Sequence, residues 1–313
     1  MRYDLPGIFS ASMRAAFATS LLLGSACAAQ AADNEYDFLR AGPKGNIYAQ
    51  SDEGMSPTAM SGSLAAEKSN VSYPKMLWED TKYVLTAPAR WDEQEWKKAG
   101  WTALGIAGVM TIIDRPVQDG MRRIAPDNDQ LTPDNSRFLH EVERFGREYS
   151  LGVLGGFYVA GALRDDENAI AVAQDGLTSV ILASGIITTV VKISTGRARP
   201  RQDLGTADFK PFGGNDSFPS GHVTHAFAIA SVIANHYDET WVTCTSYSVA
   251  SLVGVARSYH GGHFASDILA GAMIGTLVGK SVVEHNKSMR SGKVVLLPEA
   301  TPGMVGVRMV SSF

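Results

Sequence analysis

The sequence predicts an all-α protein: a helical bundle with a short C-terminal β-hairpin. Three observations predict it. Apolar stretches of helical length fill the chain from Met76 to Asn286. They begin and end on residues that start and stop helices, such as Asp92, Pro88 and Gly196. After Ser291 the pattern changes, and Val294-Val295-Leu296-Leu297, a Pro298…Pro302-Gly303 turn and Val305-Gly306-Val307-Arg308-Met309-Val310 read as two paired strands.

The elements follow in order. Residues 1–31 read as a signal peptide: Arg2 and Arg14 supply charge, Leu21-Leu22-Leu23 centre a short apolar stretch, and Ala29-Gln30-Ala31 is a cleavage site. An N-terminal membrane anchor is the alternative, but the apolar stretch is shorter than a span of about 20 residues. Residues 32–75 are polar, rich in Gly, Ser, Asn and Met, and read as a flexible linker. The helical domain is expected over 76–290. Its helices run from Met76 to Leu85, from the Asp92 N-cap to about Ile113, and then over about Ser136–Phe145, Tyr149–Leu163 and Glu167–Ser194. Three more cover about Ser220–His236, Thr240–Val255 and Ala265–Asn286. Asp114-Arg115-Pro116 is expected to end the second helix, with a loop bracketed by Pro126 and Pro133. Residues 291–313 form the hairpin.

Composition excludes several classes. With 45% hydrophobic and 19% charged residues the chain is neither disordered nor fibrous. A net charge of −4 and no basic run argue against a nucleic-acid partner. Two cysteines, Cys27 and Cys244, exclude a disulfide framework and a cysteine zinc site. The uncharged runs are 15 to 17 residues long (Ala99–Ile113, Tyr149–Leu163, Gly176–Val191, Thr240–Ala256). A bilayer needs about 20. We therefore expect an exported, periplasmic domain that touches membrane, with a compact integral bundle as the alternative; oligomeric state is not readable.

Three segments carry chemistry. In Lys192-Ile193-Ser194-Thr195-Gly196-Arg197-Ala198-Arg199-Pro200 a helix ends near Gly196, which places Lys192, Arg197, Arg199 and Arg201 near a helix end. Such cations suit a C-terminal dipole, yet an arginine fork also fits two phosphate oxygens. In Ser217-Phe218-Pro219-Ser220-Gly221-His222 a helix opens, with Pro219 in its first turn. Free N–H groups at Ser220 and Gly221 favour an anion there. In Arg257-Ser258-Tyr259-His260-Gly261-Gly262-His263-Phe264-Ala265-Ser266-Asp267, His263 and Asp267 are four apart. If helical they share a face, so that Asp267 accepts the Nδ1–H of His263 and frees Nε2. Each segment alone has an ordinary structural reading: helix capping, a Ser-capped helix with a surface His, an i,i+4 pair.

Taken together, K-x6-RP, PSGH and R-x5-H-x3-D in this order resemble the type 2 phosphatidic acid phosphatase / vanadium haloperoxidase superfamily, over a motif core of 176–280. One position departs: Ala256 stands where the family usually has Ser before the arginine. The resemblance implies a helical bundle of the type 2 phosphatidic acid phosphatase kind and a metal-independent phosphatase. Lys192, Arg199 and Arg257 would hold phosphate oxygens with Ser220 and the Gly221 backbone. His263 would form a phosphohistidine, Asp267 would fix its tautomer, and His222 would be the general acid and then base. Phosphoryl transfer needs positioning and charge neutralisation, which cations and a helix N-terminus provide. No cofactor and no metal are expected: a histidine site at His222, His225, His260 and His263 would be repelled by the neighbouring cations. His225 could line the pocket, and His260 is at most one step removed. The expected partner is a phosphate-bearing substrate, a lipid phosphate or diphosphate. Vanadate-dependent halide oxidation and a non-catalytic anion-binding envelope protein are the alternatives.

Overall fold

A computed structural model describes residues 72–124, 133–291, 294–301 and 304–311. The expected signal peptide and nearly all of the expected linker lie outside the described residues. The helices are α1 (Tyr73–Leu85), α2 (Glu93–Ile112), α3 (Asp114–Ile124), α4 (Pro133–Arg144) and α5 (Glu148–Arg164), followed by α6 (Glu167–Val180) and α7 (Thr188–Thr195). They end with α8 (Gly221–His236), α9 (Thr240–Tyr259) and α10 (Ala265–Ser291). A π-helical turn, Ile181–Ile187, joins α6 to α7 in one continuous helix. Between 72 and 291 the described residues contain no strand. The backbone of the C-terminal segment pairs β1 (Val294–Thr301) antiparallel with β2 (Met304–Ser311), Val294 opposite Ser311.

Two helix starts follow from side-chain capping among the described residues, at Asp92 and Asp166. Asp92 accepts the N–H groups of Gln94 and Glu95, while Glu95 takes the N–H of Asp92, a full capping box. Helix α3 was not expected. Asp114-Arg115-Pro116 does not end helical structure but restarts it, because Pro116 falls in the first turn, where no intrahelical N–H is required. Pro219, expected inside the first turn of α8, instead precedes its N-cap, Ser220.

Helix α8 is the centre. Every residue from Val223 to Val232 is buried, as in a helix covered on all sides. It lies against α6, α9 and α10. The closest approach is to α10, through glycines four residues apart. A Cβ on Gly271 would stand 2.6 Å from the Ser220 carbonyl oxygen, and one on Gly279 2.7 Å from that of Ala228. At Gly275 it would strike the Thr224 carbonyl. Without side chains between them, the backbones pack directly, and this sets the start of α10 beside the start of α8, where Ser220 N–H donates to the Asp267 carbonyl at 2.9 Å.

The periphery is apolar. Helix α2 buries only Glu95 and exposes Trp101, Leu104 and Ile112; α5 exposes Leu151, Tyr158 and Leu163. By length and composition, Glu167–Thr195 and Ala265–Arg290 could cross a membrane. The uncharged runs counted in the sequence understate these helices, which continue through their polar ends.

Gly275→Ala should therefore be destabilising. Overpacking costs about 1–3 kcal/mol, which lowers Tm by several degrees. A melting curve that superimposes on that of the parent would show that α8 and α10 are not held in backbone contact.

Candidate active site

Lys192 sits in the last turn of α7, and Gly196 (φ +56°) turns the chain out of it. Only glycine fits there, since a Cβ would collide with the Lys210 carbonyl. The next residues run beside 208–210: Arg197 bridges to Phe209, and Ala198 N–H donates to the Asp208 carbonyl at 2.9 Å. The three arginines of this segment then separate. Arg201 is exposed. Arg199 meets Asp216, with Nε at 2.7 Å and Nη2 at 2.6 Å from the two carboxylate oxygens. Arg197 is fully buried and is no phosphate ligand.

Arg197 is shared by two buried carboxylates. Nη2 reaches Asp114 at 2.7 Å, and Nη1 reaches Asp267 at 2.5 Å and Ser266 Oγ at 2.7 Å. Its remaining N–H groups go to the Thr206 carbonyl, so all five donors are used. Each carboxylate has further donors. Asp114 takes Ser266 N–H at 2.8 Å and Ser266 Oγ–H at 2.6 Å. Asp267 takes Ser217 Oγ–H at 2.6 Å and Phe264 N–H at 2.8 Å. Both acids lie at the N-terminus of α10, whose dipole favours the triad's net negative charge.

His263 precedes α10 rather than riding on it, and this changes the expected pairing. Its Nδ1 lies 3.7 Å from Asp267, beyond hydrogen-bond reach, and donates instead to the Ser217 carbonyl at 2.7 Å. Asp267 thus acts on His263 through Ser217, whose hydroxyl it holds. The outcome for the ring is the expected one, with Nδ1 protonated and Nε2 carrying the lone pair. Burial first, then the charges of Arg257 and Lys192, pushes the His263 pKa down to about 4. Burial and the charges of Arg147, Arg199 and Lys192 do the same to His222, to about 4. Both imidazoles are neutral at pH 7.

Of the remaining expected ligands, Arg257 and Lys192 both bear on His263 through their charges. Gly221 opens α8 close to Lys192: a Cβ there would lie 3.7 Å from Lys192 Cε. Ser220, the N-cap, makes no capping bond, and its buried hydroxyl has no partner among the described residues. Arg257, on the last turn of α9, gives Nη1 to Glu143, while its buried Nε is also without a partner. Glu143 also holds His260 Nδ1 at 2.7 Å, so His260 reaches the site only through Glu143. Gly262 leaves room for the Arg257 guanidinium, where a Cβ would come within 2.7 Å of Nη2. His225 pairs with Ser150 at 2.7 Å. Among the described residues no group of three His, Cys, Asp or Glu could hold a metal ion.

Sequence reasoning missed Asp114, Glu143, Ser217 and Asp216 as participants. The first two act across 83 and 114 residues, and no local pattern marks them. Ser217 acts mainly by its carbonyl, which every residue has. Asp114→Ala should cost about 3–5 kcal/mol, because it leaves the buried Arg197 half-compensated. Thermal unfolding is the readout; a loss under about 1 kcal/mol would mean that Asp267 alone neutralises that guanidinium.

Comparison with known proteins now bears on this geometry. Residues 176–287 match the family model of the PAP2 superfamily. A lipid A 1-phosphatase of Porphyromonas gingivalis is 41% identical over 91 residues, 28% of this chain and 18% of that one. A lipid A 1-phosphatase of Rhizobium etli is 31% identical over 130 residues, covering 38% of this chain and 54% of the relative. The chain thus spans about half, or far less, of the length of these relatives. Among solved structures, a transmembrane PAP2-type phosphatidylglycerolphosphate phosphatase from Bacillus subtilis aligns at TM-score 0.44 and 19% identity, over 62% of this chain and 96% of that one. LpxE of Aquifex aeolicus aligns at 0.37 and 27%, over 53% and 93%.

Proposed function

We propose that this PAP2-domain chain is a phosphohydrolase that removes phosphate from a phosphate-bearing lipid through a phosphohistidine on His263. One observation carries the reading: a buried, neutral His263 with its Nδ1–H fixed on the Ser217 carbonyl, in the field of Arg257 and Lys192. The unpartnered Ser220 hydroxyl and Arg257 Nε are donors of the kind a phosphoryl group would use.

The steps follow from the donors. Lys192, Arg199, Arg257, Ser220 and the Gly221 N–H hold the equatorial oxygens and neutralise charge as it develops. His263 Nε2 gives its lone pair to phosphorus; the bond to the leaving oxygen breaks, and that oxygen takes a proton from His222. His222, now neutral, accepts a proton from water. The water oxygen bonds to phosphorus, and the phosphorus–nitrogen bond breaks, returning the pair to Nε2 and releasing phosphate. The cations and the α8 N-terminus supply the positive charge for this without a metal.

The lipid part of the proposal is supported by the relatives' names and by the apolar periphery. Trp101 and Leu163, 73% and 80% exposed, sit on helices that bury few of their own residues. A bilayer is the proposed partner, and export through residues 1–31 would place the protein in the cell envelope.

Rapid-quench kinetics tests the two histidine roles. His263→Ala should abolish turnover of every phosphate ester. His222→Ala should cost about 10²–10⁴-fold with an alkyl phosphate, whose leaving oxygen needs a proton, and much less in the first turnover of an aryl phosphate. Phosphohistidine should accumulate in His222→Ala and never in His263→Ala. Equal losses on both esters, with no trapped phosphoenzyme, would reject the assignment.

The pH dependence has a defined sign. The reaction needs one proton on His222, and a monoanionic ester can deliver it to the neutral site. kcat/KM should then fall below about pH 4, where His263 is protonated and loses its nucleophilic pair. It should also fall above about pH 6, where a phosphate monoester loses its second proton. An acid limb near the ordinary imidazole value would show that His263 is not held neutral by burial.

A further inference from the structure

Asp216 occupies the arginine fork that the proposed function assigns to phosphate. Its carboxylate oxygens take Arg199 Nε at 2.7 Å and Nη2 at 2.6 Å, and its main-chain oxygen takes Lys192 Nζ. A guanidinium meets a carboxylate and a phosphate alike, as two anionic oxygens spaced for parallel N–H···O bonds. One fork cannot hold both. The charges of Arg199 and Lys192, with that of His263 when protonated, hold the Asp216 carboxyl below the usual carboxylate range, so it is an anion at neutral pH.

The placement of Asp216 allows exchange. It follows Gly213-Gly214, and Gly214 (φ +83°) has open space around its Cα. The loop is latched at Asn215, whose Oδ1 accepts from Gln202 Nε2 at 3.2 Å, while Gln202 Oε1 accepts the Arg199 N–H at 2.6 Å. The Asp216 side chain is 53% exposed, whereas Ser217 is fully buried. The carboxylate can therefore leave the fork by side-chain rotation while Ser217 keeps its hold on His263.

We propose that Asp216 is an intramolecular competitor for the phosphate site, displaced whenever a phosphoryl group enters and returning when phosphate leaves. The inference rests on the phosphatase reading above. The competition weakens every phosphate ligand by one common factor, because that factor depends only on how fully Asp216 fills the fork. A lipid substrate has apolar contacts that keep it bound despite this penalty. Inorganic phosphate has none, so product release gains. For a partly exposed bidentate pair the factor is modest, about 2–10-fold.

Calorimetric titration of the full chain with orthovanadate, run beside phosphate release from a lipid phosphate, tests this. Asp216→Asn keeps the shape and removes the charge. It should tighten orthovanadate and inorganic phosphate about 2–10-fold, by the same factor, and should not raise kcat. Asp216→Ser should act in the same direction. In an Arg199→Ala background the gain should vanish, because the contested fork is gone. If the parent hydrolyses the lipid phosphate but folded Asp216→Asn binds orthovanadate equally or more weakly, the proposal is overturned and Asp216 serves to position Arg199. A parent chain that neither binds orthovanadate nor releases phosphate would instead remove the phosphatase reading itself.

Discussion

The site depends on one buried charge. Arg197, with all five N–H groups committed, ties Asp114 at the α2–α3 junction to Asp267 at the start of α10. Three distant parts of the chain meet on a single guanidinium. Burying three charges is expensive, and such triads are often no more stabilising than apolar residues of the same size. What this one supplies is position. Asp267, fixed from one side by Arg197, fixes Ser217 from the other, and the Ser217 carbonyl fixes the tautomer of His263. The stacking of Arg197 over the Phe264 ring at 4.3 Å closes the arrangement around the residue next to His263, the proposed nucleophile.

Positive charge at the proposed phosphate site is prepared without being left free. Arg199 is paired with Asp216, Arg257 with Glu143, and Lys192 with a carbonyl. These partners stop the cations from repelling one another and keep their side chains in place. The uncompensated part of their field falls on the two imidazoles, which burial and charge together keep neutral. A dianion entering the site would reverse the sign of that field. It would favour protonation of His222, the proposed general acid, as the leaving oxygen comes near. In the proposed reaction electrostatics would thus couple the binding step to the acid–base step, with no moving part beyond side chains.

How far the sequence could be read depends on range. Helix ends at Asp92 and Gly196 were legible because capping is decided within four residues. The three motifs were legible for the same reason, each being compact. Pro116 misled, since a proline that ends one helix also suits the first turn of the next. His263 and Asp267 misled because the i,i+4 spacing means contact only if both are helical, and the helix begins two residues after His263. Arg197 and Arg199 look alike in sequence, yet one is a buried strut and the other forks onto the exposed Asp216 at the proposed phosphate site. The acids Asp114, Asp267 and Asp216 decide this, and the first two are far away along the chain.

Helix α10 explains how a bundle of packed helices can hold such a site in register. It is pinned near both ends by buried carboxylates. At its start are Asp114 and Asp267. Near its end, Asn286 donates to Asp80 and Asp175, both at 2.9 Å, His285 pairs with Asp80, and Arg290 forks onto Asp175. Asp80 comes from α1 and Asp175 from α6, so this second cluster gathers the helices at the end of α10 remote from His263. Between the two clusters the glycines at 271, 275 and 279 press α10 against α8 with no side chain as a cushion. Apolar packing alone would tolerate sliding along this seam, because dispersion contacts are many and interchangeable. Directional bonds at both ends do not, since a shift would leave buried charges unpaired. The polar clusters set where α10 lies along its axis and the glycines set how close it comes. Together these fix Asp267 opposite Ser220 and place His263, the proposed nucleophile, near the helix N-terminus that would hold its target.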